Sequence, residues 1–155
     1  MTTRILTIAA LALLLPLADA AAQTASDKDA VRQAALDYVD GIYTVDTTRI
    51  ERSVHENLTK RGFWREPTDS AYRPESVMTF DQLMKLTSVW NKDGKRDTSI
   101  KEITVLDVLD QTASAKIVAM WGIDYMHLAK YDGRWQIINI VWQAHPPRAQ
   151  ATASR

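Results

Sequence analysis

The sequence predicts an α+β fold, in which N-terminal helices pack on a curved antiparallel sheet that forms a cone-shaped half-barrel. Three observations predict this class. Apolar residues have helical spacing in the first half of the chain, strand-forming residues dominate from Ile100 onward, and Asp132-Gly133 is a strong hairpin signal. At 155 residues, the chain has the length of one folded domain.

Residues 1–22 have the order of a secretory signal peptide. Arg4 supplies a positive charge, the stretch from Ile5 to Leu17 is almost wholly apolar, and small residues follow up to Ala22. The apolar stretch is shorter than the roughly 20 residues that span a membrane. We therefore expect cleavage after Ala22, with Ala20 as a second site, rather than a membrane anchor or a buried first helix. The mature protein would then be exported to the periplasm or the extracellular space, with no stable membrane anchor.

Three helices are predicted next, over residues 26–94. Each begins at a capping pair spaced three residues apart: Ser26 with Asp29, Thr48 with Glu51, and Thr79 with Gln82. In the first helix, apolar residues from Ala30 to Ile42 recur every three or four positions and form one stripe. Residues 66–76, which include two prolines, predict an irregular loop.

Strands are predicted over residues 103–109, 115–131 and 135–142, which are rich in β-branched and aromatic residues. Asp132-Gly133 favours a type I′ turn, because this turn needs positive φ at both central residues. A regular hairpin from that turn pairs Tyr131 with Arg134 and Asp124 with Val141. It also pairs His127 with Ile138 and Met126 with Asn139. Both faces of this hairpin would be mostly apolar, so we expect helices to cover one face and a partner, a loop or the sheet's own curvature around a cavity to cover the other.

Composition excludes several classes of function. Lysine plus arginine and aspartate plus glutamate both number 19, so no basic excess predicts nucleic-acid binding. The chain has no cysteine, and its three histidines lack helical i, i+4 spacing, so we expect no metal site. It also lacks a glycine-rich phosphate loop and a nucleophile elbow, and no cofactor is expected.

Three stretches resemble the putative lumazine-binding family of the nuclear transport factor 2-like, or SnoaL-like, superfamily. They are WGIDYMHLAKYDGRWQIINIVW at 121–142, DYVDG at 37–41 and VHENLTKRG at 54–62. The resemblance implies one domain over residues 23–145 and a ligand pocket inside the cone. The superfamily includes isomerases, dehydratases, cyclases and binding domains, and the family's name implies a pterin-like or flavin-like ligand. Residues 146–155 are expected to form a mobile C-terminal tail.

The candidate ligand-binding residues in such a pocket are Tyr43, His55, Trp64, Trp121, Asp124 and Asn139. Three of them, Asp124, His55 and Tyr43, are also candidate catalytic residues. Asp124 is an acid in an apolar strand, where burial would suit it to general-base catalysis and where a structural salt bridge is the alternative. His55 lies at a helix-to-strand junction and would be either a pocket-rim acid–base group or a cap.

Three cationic residues flank Trp64: Lys60, Arg61 and Arg65. They would either attract an anion to the pocket mouth or be solvated surface charges, and we expect the latter.

Two classes of function follow. The first is an exported protein that binds a small planar or apolar ligand in the cone. The alternative is a cofactor-free isomerase, dehydratase or cyclase-type enzyme that uses an acid and a tyrosine or histidine in the same cavity. A homodimer through the second apolar sheet face is compatible with either class.

Overall fold

The computed structural model describes residues 16–69 and 71–147, with side chains from residue 25 onward. Most of the predicted signal peptide (1–15) and most of the predicted tail (148–155) lie outside the described residues. The elements in chain order are α1 (Pro16–Thr44), α2 (Thr47–Ser53), β1 (Val54–Phe63), β2 (Ser76–Thr79), α3 (Phe80–Thr87), β3 (Lys101–Val108), β4 (Thr112–Ala119), β5 (Gly122–Tyr131) and β6 (Arg134–Gln143).

The six strands form one sheet in the order β2-β1-β6-β5-β4-β3. All neighbouring strands are antiparallel except β1 and β6, which run parallel. The predicted α+β half-barrel is confirmed, but the sheet is mixed rather than purely antiparallel. The pattern of a single strand cannot reveal this, because it does not say which strand lies next to the first one.

Helix α1 packs on the sheet through the predicted apolar stripe, and Val31, Tyr38 and Ile42 are buried. Its predicted start at Ser26 is wrong, since the helix begins at Pro16 and spans the predicted cleavage position. Alanines at 20–22 have the highest helix propensity, which outweighs the preference of a serine for the N-cap.

The two shorter helices differ in how well their starts were predicted. The capping box of Thr79 and Gln82 is confirmed at the N-terminus of α3. That helix ends at Thr87, earlier than the predicted Asn91–Gly94 stop. Helix α2 is capped by Asp46, whose side chain accepts a hydrogen bond from the Thr48 backbone, so the predicted Thr48–Glu51 box is wrong.

The β5–β6 hairpin has the predicted turn but not the predicted register throughout. Asp132 and Gly133 have φ values of 48° and 76°, and the first four positions pair as expected up to Leu128 with Ile137. A bulge at Ile138 then shifts the pairing by one residue. The predicted pairs of Asp124 with Val141, Met126 with Asn139 and His127 with Ile138 are therefore wrong.

The shift moves the residues of β6 beyond the bulge, Asn139 to Trp142, to the opposite face of the sheet from the predicted one. Asp124 pairs with Trp142, and both belong to the inner, concave face, whereas Asn139 pairs with the exposed His127 on the outer face. The outer face is exposed in the single chain, with Tyr125 and Val141 both about half exposed. Coverage of this face by a partner therefore stays a prediction. Among the described helices, none has the length and hydropathy that a membrane crossing requires.

Candidate functional site

A cavity of about 960 Å³ opens at the end of the half-barrel where β1 and β6 finish. Helices α1 and α3, the β4–β5 turn, the loop after β1 and the segment after β6 all contribute to its wall. The apolar lining residues are Ile42, Trp64, Pro67, Met78, Leu86, Trp90, Met120, Trp121, Trp142, Ala144, Pro146 and Pro147. The lining residues with polar or charged side chains are Lys60, Arg65, Glu66, Arg96 and His145.

Four of the five tryptophans of the chain line this cavity: Trp64, Trp90, Trp121 and Trp142. Trp121 lies edge-on to Trp90 with 5.5 Å between ring centroids, and Tyr43 supports both rings from behind. Such an arrangement fixes the orientation of the rings that face the cavity. The wall therefore offers flat apolar surfaces that are held in place before a ligand arrives.

Gly62 determines where the Trp142 ring can lie. The two residues are partners across the parallel β1–β6 pair, and a Cβ atom added at Gly62 would lie 2.1 Å from the Trp142 ring. The absence of a side chain thus allows the indole to lie over β1, beside Lys60 two residues earlier. The strand pattern and the glycine together place this ring in the cavity wall.

Lys60 is the centre of a buried polar cluster in this wall, although we expected it to be solvated. Its side-chain nitrogen Nζ lies 2.6 Å from the Tyr38 hydroxyl and 3.5 Å from Oδ1 of Asp124. Lys60 is 4% exposed and Asp124 is 0% exposed. The Trp121 Nε1–H donates to the other Asp124 oxygen at 3.1 Å. The predicted salt bridge of Asp124 therefore exists, and its partner is on β1.

Three aromatic rings surround the Lys60 nitrogen. It lies 5.3 Å from the centroid of Tyr38, 5.8 Å from that of Trp121 and 5.4 Å from that of Trp142. Burial lowers the pKa of Lys60, and the charge and hydrogen bond of Asp124 oppose this shift. Burial also raises the pKa of Tyr38 well above its ordinary value, with Asp124 adding to the effect. Tyr38 is accordingly a neutral phenol at physiological pH.

Arg65 ties the loop after β1 to the chain end after β6. Its guanidinium donates to the backbone carbonyls of Glu66 and Asp69 in that loop and to the carbonyl of His145. Arg65 is 7% exposed, so our expectation that it is solvated surface charge is wrong. Arg61, by contrast, is exposed and pairs with Glu75 on the outer side of the sheet.

The predicted site residues separate into two groups. Trp64 and Trp121 line the cavity, and Asp124 lies directly behind Lys60 and Trp121. Tyr43 does not line the cavity: its hydroxyl donates to the Ile100 carbonyl and accepts from the Met120 backbone. Burial raises the pKa of Tyr43, which further fits a structural hydroxyl.

His55 and Asn139 both lie away from the cavity. His55 stacks on Tyr131 with 4.1 Å between ring centroids, and its Nδ1 accepts from the Asn57 backbone. Asn139 donates to the Thr59 carbonyl on the outer side of the sheet. The candidate catalytic residues Asp124, His55 and Tyr43 therefore do not meet in the cavity, and Asp124 instead lies beside Lys60 and Tyr38.

Sequence reasoning missed Lys60, although strand parity contains the signal. Leu58, Lys60 and Gly62 alternate with exposed residues in β1, so they share the buried face. A lysine at such a position needs a buried acid as its partner. In the described part of the chain, no group of three or more histidine, aspartate or glutamate side chains is arranged to hold a metal ion.

A family model described as "Putative lumazine-binding" matches residues 26–143 of the chain. A search of curated proteins gives no match.

Solved structures share the fold. A nuclear transport factor 2-like (NTF2-like) protein of unknown function from Silicibacter pomeroyi is 15% identical with a TM-score of 0.63, covering 79% of this chain and 98% of its own. One from Shewanella baltica is 16% identical with a TM-score of 0.60, at 79% and 96% coverage. A putative scytalone dehydratase from Novosphingobium aromaticivorans is 15% identical with a TM-score of 0.55, at 84% and 99% coverage. At these identities the likeness concerns the fold alone.

Proposed function

The chain belongs to the family described as "Putative lumazine-binding", and from that premise we propose that it binds a small planar, largely apolar molecule in the cavity at the end of the half-barrel. The observation that carries the proposal is the wall of four tryptophans around a space of about 960 Å³. Ligand pockets of roughly 300–1,000 Å³ with mostly apolar linings are typical of small-molecule sites. Aromatic side chains favour flat partners, because stacked and edge-to-face contacts add to the burial of area.

Tryptophan fluorescence provides the direct test, because four of the five indoles line the cavity. The mature protein is titrated with lumazine, riboflavin and a steroid, and we expect saturable quenching by at least one of the flat heterocycles. Trp135 lies elsewhere, hydrogen-bonded to Asp27, so Trp135→Phe is the matched control that keeps the quenching. Trp142→Phe should weaken it. If none of the three probes changes the emission, the proposal fails.

Catalysis of a dehydration or isomerisation is the second candidate function. It is favoured by the convergence of Lys60, Asp124 and Tyr38 at the cavity wall, since proton transfer needs ionisable groups in hydrogen-bond reach. The similarity in fold to a protein described as a "Putative Scytalone Dehydratase" fits this candidate but does not assign a substrate. Turnover of a bound ligand that is abolished in Lys60→Met would distinguish this candidate from simple binding.

Export and dimerisation also belong to the proposal. Export is supported by the signal-like order of residues 1–22, and a homodimer by the exposed Val77, Val141 and Tyr125 on the outer sheet face, where Arg61 lies between the two valines. Sedimentation equilibrium of the mature protein tests the second point. A monomer at all concentrations would remove the dimer from the proposal and leave the ligand site unaffected.

A further inference from the structure

The buried cluster of Lys60, Tyr38 and Asp124 can donate more hydrogen bonds than its members accept from one another. An ammonium group has three N–H donors. Within the described part of the chain, Lys60 donates to the Tyr38 hydroxyl and to Asp124, which accounts for two. The remaining neighbours of the nitrogen are ring faces and the cavity that Lys60 itself lines. One donor therefore remains for an acceptor atom inside the cavity.

The charge of the cluster selects the kind of acceptor. Lys60 and Asp124 carry one positive and one negative charge, and the pair stays neutral wherever the proton lies between them. Tyr38 adds no charge, because its pKa is raised well above the ordinary value by burial. A carboxylate at this position would bring a second negative charge beside Asp124, which already pairs with Lys60, and such a charge is costly to desolvate. An uncharged oxygen acceptor carries no such penalty.

Two other cations, Arg65 and Arg96, line the cavity, and the buried Nε of Arg65 has no hydrogen-bond partner among the described residues. Arg65 donates to three backbone carbonyls, and Arg96 donates to the Trp90 carbonyl while its guanidinium lies 4.7 Å from the centre of the Trp90 ring. Neither guanidinium makes a hydrogen bond to Lys60, Tyr38 or Asp124 among the described residues. Because Trp121 and Trp142 lie next to Lys60, we expect the ligand that carries this acceptor atom to have a flat, apolar ring system.

We propose that Lys60, Tyr38 and Asp124 form a subsite for the carbonyl oxygen of an uncharged, planar ligand such as an aromatic ketone or a keto-heterocycle. The Lys60 N–H donates to the carbonyl, Asp124 and Tyr38 hold the lysine side chain in place, and Trp121 and Trp142 cover the ring system. This inference rests on the proposed binding function and names the chemical class of the ligand.

Three naphthalenes that differ at one group test the subsite: 2-acetylnaphthalene, its hydrocarbon isostere 2-isopropenylnaphthalene, and 2-naphthoate. Dissociation constants are measured by tryptophan fluorescence for the wild type and for Lys60→Met. We expect Lys60→Met to weaken the ketone about tenfold, in line with one hydrogen bond to a charged donor, and to change the hydrocarbon less than twofold. Arg61→Met, a change at the exposed neighbour on the same strand, should leave both affinities unaltered.

The wild-type protein supplies a second readout that does not depend on how well the variant folds. The infrared stretch of a ¹³C-labelled carbonyl in bound 2-acetylnaphthalene should lie at lower frequency than in a dry hydrocarbon solvent, because a strong donor polarises the bond. A bound carbonyl at the hydrocarbon-solvent frequency overturns the inference, as does 2-naphthoate binding more tightly than the ketone. If all three ligands bind with no dependence on Lys60, the subsite fails while the binding function stands. If none binds, the proposed function itself fails.

Discussion

Asp124 and Lys60 illustrate at the residue scale how a buried charge is tolerated in this domain. Each group is almost wholly removed from solvent, and each is the other's charged partner. Removing one partner of such a pair leaves an uncompensated charge, whereas replacing both with apolar groups removes the desolvation cost as well.

We therefore expect Asp124→Asn to lower the free energy of unfolding by about 3–5 kcal/mol. The double variant Lys60→Met/Asp124→Asn should be more stable than Asp124→Asn alone, since the buried cation is then gone. Urea unfolding at pH 7 is measured for the wild type, Lys60→Met, Asp124→Asn and the double variant. Additive losses in the double variant would show that the two groups do not interact.

Gly62→Ala tests the contact that positions Trp142. The added methyl group would overlap the indole, so we expect a loss of about 1–3 kcal/mol in stability and weaker ligand binding as the ring is displaced. Unfolding and ligand titration of the same variant check both effects. Gly133→Ala is the control for ligand binding, because a Cβ atom at Gly133 meets no neighbour within 4 Å. It should leave the ligand affinity unchanged, although the positive φ of Gly133 makes this variant less stable as well. Unchanged ligand affinity in Gly62→Ala would show that the ring position is unimportant.

The lowered pKa of Asp37 predicts that the free energy of unfolding depends on pH. Its carboxylate accepts two hydrogen bonds from Arg52 and one from Arg49, and these contacts join α1 to α2. The hydrogen bond from Arg52 lowers the pKa of Asp37 below 3.8, against the opposing effect of burial. At neutral pH both folded and unfolded states are ionised and the contacts stabilise the folded one. As the pH falls below 3.8, the unfolded state takes up the proton first and this contribution is lost.

Asp37→Asn should accordingly cost about 1–3 kcal/mol at pH 7. The difference from the wild type should diminish as the pH falls through and below 3.8. Asp29→Asn, at an exposed position of the same helix, should have little effect at either pH. A difference that stays constant between pH 7 and pH 3 would contradict the role assigned to Asp37.

At the scale of elements, the sequence predicts those features that depend on neighbouring residues. The capping box of α3, the buried stripe of α1 and the turn at Asp132-Gly133 all follow from local patterns. The bulge at Ile138 has no local signal of comparable strength, yet it moves Trp142 into the cavity wall and Asn139 out of it. The misplacement of Asn139 and Trp142 therefore arises from one inserted residue in one strand.

The α3 cap can be tested by itself. Thr79→Ala removes the side-chain acceptor for the Gln82 backbone N–H, and we expect a loss of about 1 kcal/mol in unfolding free energy. Thr79→Ser keeps a hydroxyl at the N-cap and should remain close to the wild type. Equal stability of the alanine and serine variants would mean that the capping box contributes nothing measurable.

At the scale of the whole molecule, the predicted α+β half-barrel around a hollow is confirmed, while the composition of the site was predicted only in part. Trp64, Trp121 and Asp124 were named from the sequence, because an acid in an apolar strand and clustered aromatic residues are visible there. Lys60 was expected to be a solvated charge, because its partner Asp124 is 64 residues away on β5 and only the pairing of β1 with β6 and of β6 with β5 brings them together. We expected the outer sheet face to be covered because a hairpin without the bulge places Ile140 and Trp142 on that face.

Export is a further prediction at this scale. Expressed in a bacterium with its own first 22 residues, the protein should be recovered outside the cytoplasm, and intact mass spectrometry should show a chain that begins at Gln23. An alternative start at Ala21 would indicate cleavage after Ala20. Recovery of a chain that still begins at Met1 would contradict the assignment of a cleaved signal peptide.

The central claim is that the cavity between Trp64, Trp121 and Trp142 is the ligand site. A crystal structure of the mature protein with 2-acetylnaphthalene tests it most directly. We predict electron density for the naphthalene ring against Trp121 and Trp142, with its carbonyl oxygen within hydrogen-bond distance of Lys60 Nζ. Density for the ligand only on the outer sheet face, or a cavity filled by the protein's own side chains, would contradict the claim.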